Sequence, residues 1–274
     1  MGRHCWLCGI PVKMNNPLFS CVVPVKGSRP YLAEALESLE AQGMGSDLEV
    51  IIQDGDVEPD SGQSDALNRG FAKAKGEWLF WLNADDVLLP GALGKVKEFI
   101  AATTFAEATE VKKNAEGAKG INWIAGDTVY IDEHDKVRDV RCDAKWRPWF
   151  GHHLCAWVGG PSAFFRRELW EQRGGFDPEL KYVMDIDLWT RWAKAGERFA
   201  ALGDYVWGFR VHDGSKTMCG RNLADYRAER TRMVARHGLK HEGFWRNLNR
   251  VVSVLDGSWV KRKYDSAKMK GMAI

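Results

Sequence analysis

Apolar positions in the first ninety residues switch between two periods. Leu18 to Val25 is a continuous apolar run of strand length, punctuated by Pro24, Gly27 and Pro30. Over Tyr31 to Ala41, Leu32, Ala35, Leu36 and Leu39 then recur at helical spacing, the stripe of a helix packed on a sheet. Leu48 to Ile52 predicts a second strand, Asp65 to Lys75 a second helix and Glu77 to Leu82 a third strand, with a third helix starting after Pro90. Strand and helix in strict alternation imply a doubly wound, mostly parallel α/β sheet.

Past Thr103 the chain turns polar and small as far as Gly120, which reads as a helix end followed by a long surface insertion. A second part starts near Ile121. Ile121 to Asp127, Val129 to Ile131 and Val137 to Arg141 predict strands of a hairpin-rich segment, with a turn at Glu133 to Asp135. Ser162 to Phe165 predicts another strand, followed by a short helix from Glu168, a break at Gly174-Gly175 and a helix from Asp185 to Ala195. Tyr205 to Val211 is the last strand expected, and helices over Leu223 to His237 and Phe244 to Leu255 close the chain.

Composition narrows the class. A chain of 274 residues, 45% hydrophobic and 28% charged, is globular, and its length suits one α/β domain with appendages. Its 13 tryptophans serve either a heavy core or platforms on which sugar rings or bases stack. No apolar run reaches the roughly 18 residues of a membrane span and no secretory leader is visible, so a cytoplasmic protein is expected. Cys5, Cys8, Cys21, Cys142, Cys155 and Cys219 lack framework spacing and fit reduced thiols. Cys5 and Cys8 form half of a zinc pattern whose other half is missing. Met14 is an alternative start. From Arg221 onward 13 Lys/Arg face 5 Asp/Glu, so a basic tail follows an acidic body. That asymmetry suits an anionic membrane surface at the inner face of the cell and does not suit nucleic acid.

In open α/β sheets ligands bind beyond the carboxyl ends of the strands, where Asp54 and the turn Asn83-Ala84-Asp85-Asp86 fall. Adjacent carboxylates repel unless a cation or hydrogen-bond donors offset them. A hard divalent ion would do so, and so would a role as helix cap; taken alone, the tetrapeptide leaves both readings open.

The surrounding motifs are more specific. Gly62-Gln63-Ser64-Asp65-Ala66-Leu67-Asn68-Arg69-Gly70, Ala74-Lys75-Gly76-Glu77-Trp78 and Trp81-Leu82-Asn83-Ala84-Asp85-Asp86 together resemble the nucleotide-binding half of glycosyltransferase family 2, the inverting GT-A enzymes. Ser20 to Pro24, Glu49 to Gly55, Pro161 to Arg167, Gly174 to Asp177, Met184 to Arg191 and Arg210-Val211-His212 extend the resemblance to about residues 18–217. It implies a GT-A domain with a nucleotide-sugar half at 18–102 and an acceptor half at 121–217. An N-terminal extension, 1–17, and a basic helical appendage, 218–274, flank that domain.

The resemblance also implies roles. Asp54 would accept from the base and Asp65 would lie along the nucleoside, with Pro24, Asn68 and Asn83 also on the nucleotide sugar. Asp85 would sit near the ribose or metal, and Asp86 would be the principal ligand of Mn²⁺ or Mg²⁺. Asp185 falls where the family carries its catalytic base, with Met184 in place of the first acid of the usual Glu-Asp pair. Asp187 is a second candidate, turned away on the helix, and His212 matches a position that reaches the metal or diphosphate. His152-His153 with Cys155 read as loop or surface, and Arg166-Arg167 as a phosphate clamp or a helix start. Lys26 to Pro30 faintly resembles the loop of sugar nucleotidylyltransferases, an alternative activity; a non-catalytic binding protein of the same fold is another.

Overall fold

The computed structural model describes residues 16–111, 120–142, 158–216, 222–240, 242–255 and 257–274. The first half supplies β1 (Phe19–Val25), α1 (Leu32–Glu40), β2 (Leu48–Asp54), α2 (Gln63–Lys73), β3 (Trp78–Trp81), the short β4 (Val87–Leu88) and α3 (Ala92–Val111). The second supplies β5 (Trp123–Ile131), β6 (Val137–Arg141), β7 (Ala163–Arg166), α4 (Arg167–Arg173), α5 (Met184–Lys194) and β8 (Phe199–Arg210). Three helices follow, α6 (Leu223–Arg236), α7 (Glu242–Leu255) and α8 (Ser258–Met269).

One sheet runs in the order β2-β1-β3-β7-β5-β8-β4, with β6 paired to β5. β1 lies parallel between β2 and β3. β7 bridges β3 and β5 antiparallel to both, and β8 returns parallel to β5. The run at β1 is apolar but for Ser20, whose hydroxyl bonds Glu49 and Gly76 N, because both faces of the strand are covered. Val22 joins Leu67, Phe71 and Trp81 on the face of α2 and α5, while Cys21 and Val23 join Ala35, Leu39 and Val96 on the face of α1 and α3. This is the doubly wound α/β arrangement expected from the alternation. Trp78, Trp81, Trp123, Trp189 and Trp192 are fully buried, and Trp123 stacks on Trp189 with centroids 5.2 Å apart, so among the described residues tryptophan serves mainly the core.

Three elements differ from the sequence expectation. Val87-Leu88, ahead of the helix expected after Pro90, forms a short edge strand, because β8 offers its free edge to it, Val87 opposite Gly208 and Leu88 opposite Trp207. The two strands expected between Ile121 and Ile131 are one, β5, whose register against β8 shifts on either side of Asp127. α8 carries no wide apolar stripe and so escaped the periodicity; it is held by polar bonds, Arg262 and Ser266 to Asp139 and Lys261 to Asp127. Met233 of α6 and Leu239 after it join the main core, so this part of the basic tail is integral to the fold. Cys5, Cys8, Met14, His152, His153, Cys155 and Cys219 lie outside the described residues. No helix among the described residues is long and apolar enough to cross a membrane.

Candidate active site

A cavity of about 690 Å³ opens at the carboxyl ends of β1 and β3, and Pro24, Asn83, Asp85, Asp185, His212 and Lys216 are among its lining residues. The acidic turn is fixed from below. α1 anchors the chain beyond it, Ser38 Oγ accepting from Leu88 N (3.0 Å) and Gln42 bonding Leu89 O and Leu93 N (both 3.1 Å). Within the turn Asn83 Oδ1 accepts from Gln63 Nε2 (2.8 Å), and Asn83 Nδ2 donates to Asp86 Oδ2 (2.7 Å). Arg210 N donates to Asp86 Oδ1 (2.9 Å).

Asp86 is therefore buried with both oxygens engaged inside the protein, and burial, reinforced by the charge of Asp85, raises its pKa well above the ordinary value. Asp86, expected as the principal metal ligand, is not among the residues lining the cavity, whereas Asp85 is. The physical reason is β4. Its pairing with β8 starts one residue after Asp86 and turns that side chain inward, which leaves Asp85 to face the ligand space.

Asp85 Oδ2 lies 3.1 Å from His212 Nε2, and the Asp85 side chain is 39% exposed. His212 Nδ1 accepts from Gly214 N (3.1 Å), so in the neutral ring Nε2 carries the proton and donates it to Asp85. Beneath this pair Arg210 is wholly buried. Its guanidinium bonds the Asp85 carbonyl through Nε (3.0 Å), pairs with Glu34 and Asp135 (2.7 Å each) and lies 4.5 Å from the Tyr31 ring centre. In the sequence Arg210 is marked only by its place two residues before His212, on the strand and not on the loop.

At the far end Asp54 is held by Arg29 through two bonds of 2.7 and 2.8 Å, and Arg29, also bonded to Asp56, lines the cavity. The Asp56 backbone N–H and then the Arg29 guanidinium hold the Asp54 carboxyl below its usual range. Asp65 and Asn68 are not brought to the cavity lining. Asp65 accepts from Ser61 N and pairs with Arg69, a helical turn further on. Asn68 bonds reciprocally with the Phe176 backbone, at 2.8 and 2.9 Å, and so pins the glycine break to α2. Arg166 pairs with Glu77 and Arg167 with Glu171, which accounts for them as surface residues.

Asp185 stands in the first turn of α5 and faces the cavity. Burial pushes its pKa up to about 6, against the opposing N–H of Ile186, which donates to Oδ1 at 2.8 Å. Gly160 leaves room for it: a Cβ there would fall 2.3 Å from the Trp81 ring and 3.3 Å from Asp185 Oδ2. Asp187 points the other way, to Arg191 (2.9 Å) and His237 (2.8 Å).

Residues 57–109 match the family model described as Glycosyl transferase family 2. An uncharacterized glycosyltransferase of Rickettsia typhi is 24% identical over 232 residues, which are 78% of this chain and 70% of that protein. A PGL/p-HBAD biosynthesis glycosyltransferase of Mycobacterium bovis is 32% identical over 111 residues, which are 32% of this chain and 43% of its own length. Among solved structures, S. aureus TarS 1-349 in complex with UDP-GlcNAc matches with a TM-score of 0.59 at 17% identity, covering 83% of this chain and 69% of that one. The resemblance carried by the motifs is thereby borne out over residues 57–109, which match the glycosyl transferase family 2 model, and the chain shares the GT-A fold of the solved glycosyltransferases.

Proposed function

We propose that this chain is an inverting glycosyltransferase that moves a sugar from a nucleoside-diphosphate donor, a UDP-sugar by default, to a hydroxyl of a saccharide or lipid-linked acceptor. Synthesis of a cell-surface polysaccharide or glycolipid is the setting proposed. One observation carries the reading: Asp85 with His212, and Asp185 with its raised pKa, line the same cavity.

Asp85 suits a hard divalent ion, since such ions take one or two carboxylates and complete their shell with substrate phosphates and water. Among the described residues no group of three or more His, Cys, Asp or Glu could hold a metal by itself. Bound there, Mn²⁺ or Mg²⁺ would neutralise charge growing on the departing diphosphate. His212 would hold such an ion through Nε2 only if the proton moved to Nδ1 and the Gly214 N–H turned away; with the Nε2 proton in place it would instead orient Asp85.

Asp185 takes the proton of the acceptor hydroxyl as that oxygen bonds to the anomeric carbon and the sugar–phosphate bond breaks. The nucleoside diphosphate leaves with the bonding pair. A carboxyl near pH 6 is well matched to this, because it is ionised at neutral pH and still basic enough to hold the proton. Asn83, Pro24 and Arg29 would contact the donor, since they line the cavity and Asp65 and Asn68 do not. Domain limits of 18–217 follow the resemblance. Peripheral contact of the chain with the inner membrane face, without nucleic acid, is supported by the exposed Val251, Leu255 and Trp259 beside basic residues.

A thermal-shift panel of UDP, GDP, dTDP and CDP sugars with and without Mn²⁺ tests the reading. One donor should stabilise the protein by about 2.7 kcal/mol at one hundred times its Kd, chiefly with metal, and release its nucleoside diphosphate when an acceptor is supplied. Stabilisation by none of them would favour a non-catalytic binding protein. Pyrophosphate release from a nucleoside triphosphate and a sugar phosphate would overturn the assignment in favour of nucleotidyl transfer.

A further inference from the structure

Glu229 stands on α6, past the segment that the family motifs cover, and is only 4% exposed. Its Oε1 accepts from Tyr182 N (2.6 Å), Val183 N (2.9 Å) and Lys181 N (3.1 Å), and its Oε2 from Lys181 N (3.0 Å). Three successive backbone N–H groups just ahead of α5 thus converge on one carboxylate. Bonds of this kind, with an ionised acceptor, are roughly twice as strong as neutral ones, and the N-terminal end of a helix favours a negative charge.

α5 has no side-chain cap of its own, since Val183 occupies the cap position. Glu229 instead holds the segment that leads into the helix, accepting from the N–H of the cap residue Val183 and of the two residues before it. Two residues past that cap stands Asp185, and Lys181 and Tyr182 line the cavity beside it. The end of α6 grips the same helix again, His237 bonding Asp187 (2.8 Å) and its carbonyl taking Lys194 Nζ (2.8 Å). Burying a carboxylate is costly unless it is hydrogen-bonded, and the three N–H groups offset that cost here, so carboxylate and turn hold each other in place.

We propose that Glu229 is a positioning residue for sugar transfer: by clamping the Lys181–Val183 turn it sets the Asp185 carboxyl against the acceptor hydroxyl, which makes α6 part of the catalytic scaffold. The inference rests on Asp185 as the base. The charges acting on Asp185 are those of Arg141 on β6 and Lys216 after β8, and Lys216 in turn feels Glu229. Loosening the turn lets water reach Asp185 and moves its pKa down toward the ordinary carboxylate range.

Steady-state transfer by the full chain, with Glu229→Ala and Glu229→Gln, provides the test. Glu229→Ala should lower kcat on the order of 10- to 100-fold, the scale of a displacement near 1 Å. The KM and thermal shift for the donor should stay as in wild type, and the acid limb of the kcat profile should move to lower pH. Glu229→Gln should recover part of kcat, because its carbonyl can serve Tyr182 and Val183 while its amide opposes Lys181 N–H. If Glu229→Ala does not fold, Glu229→Gln decides by the same readouts. Wild-type kcat and pH profile in the variant, or a fall in kcat matched by the fraction of unfolded protein, overturns the inference. Absence of transfer by the wild type would instead overturn the parent reading.

Discussion

Arg210→Met tests whether the site is held up from below. The substitution keeps an unbranched side chain of similar length and removes the guanidinium, which is fully buried and contacts Glu34, Asp135 and the carbonyls of Asp85 and Asp132. Two effects oppose. Met fits an apolar environment and avoids the desolvation of a cation, while the two carbonyls and two carboxylates lose their donor. Breaking a buried pair costs about 3–5 kcal/mol. Glu34 and Asp135 are 46% and 41% exposed and can turn to water, so the cost should lie at the low end, about 3 kcal/mol. For a chain of this size that is about 6–12 °C in Tm, at roughly 2–4 °C per kcal/mol. Chemical denaturation and a thermal scan without ligand measure it. The Asp85–His212 pair should then lose its rigid floor, and donor-induced stabilisation in Mn²⁺ should fall by more than the variant's own loss of stability explains. Stability within 1 kcal/mol of wild type, with unchanged donor binding, would refute the role assigned to Arg210.

Asp85→Asn should leave unliganded stability within about 0.5 kcal/mol of wild type and abolish the metal-dependent part of donor binding, read by thermal shift. Asp86→Ala should do the reverse in kind: it orphans the Arg210 N–H and the Asn83 amide, at about 1–3 kcal/mol for each buried donor, read by denaturation. Gly160→Ala should cost about 1–3 kcal/mol by overpacking against Trp81 and lower kcat through displacement of Asp185, with stability and kcat measured together. Leu255→Glu, at a position 81% exposed, should leave Tm unchanged and weaken sedimentation with anionic vesicles; equal sedimentation would end the proposal of membrane contact.

Much of this was legible in the sequence because local periodicity and strand ends carry it. The apolar run at β1, the helical stripe of α1 and the turn at Asn83 to Asp86 needed no tertiary information. Which of two adjacent acids faces a ligand does need it. Asp85 and Asp86 differ only through the pairing of β4 with β8, a contact between residues some 120 positions apart in the chain. Asn68 fits a nucleotide-binding motif by spacing, yet its amide is spent on the backbone of Phe176. Glu229 and Arg210 show the same limit from the other side. A buried charge has no signature in hydrophobic periodicity, and its partners are set by how α6 and β8 dock. α8 leaves no apolar stripe in the sequence, because ion pairs with Asp127 and Asp139 hold it.

The proposed transfer turns on Asp185 as the base. Its folded pKa is raised, so stability is fully present below the ordinary carboxylate range and is lost as pH rises through about 6. Asp185→Asn should therefore melt higher than wild type at pH 7, with the difference vanishing below about pH 4. The direct measurement is kcat for sugar transfer against pH in wild type and Asp185→Asn. Wild-type kcat should rise through a midpoint near 6, and the variant should fall by about 10²- to 10⁴-fold, the contribution of a general base, while its donor-induced thermal shift persists. Transfer by Asp185→Asn at the wild-type rate, with the same acid limb, would contradict the account.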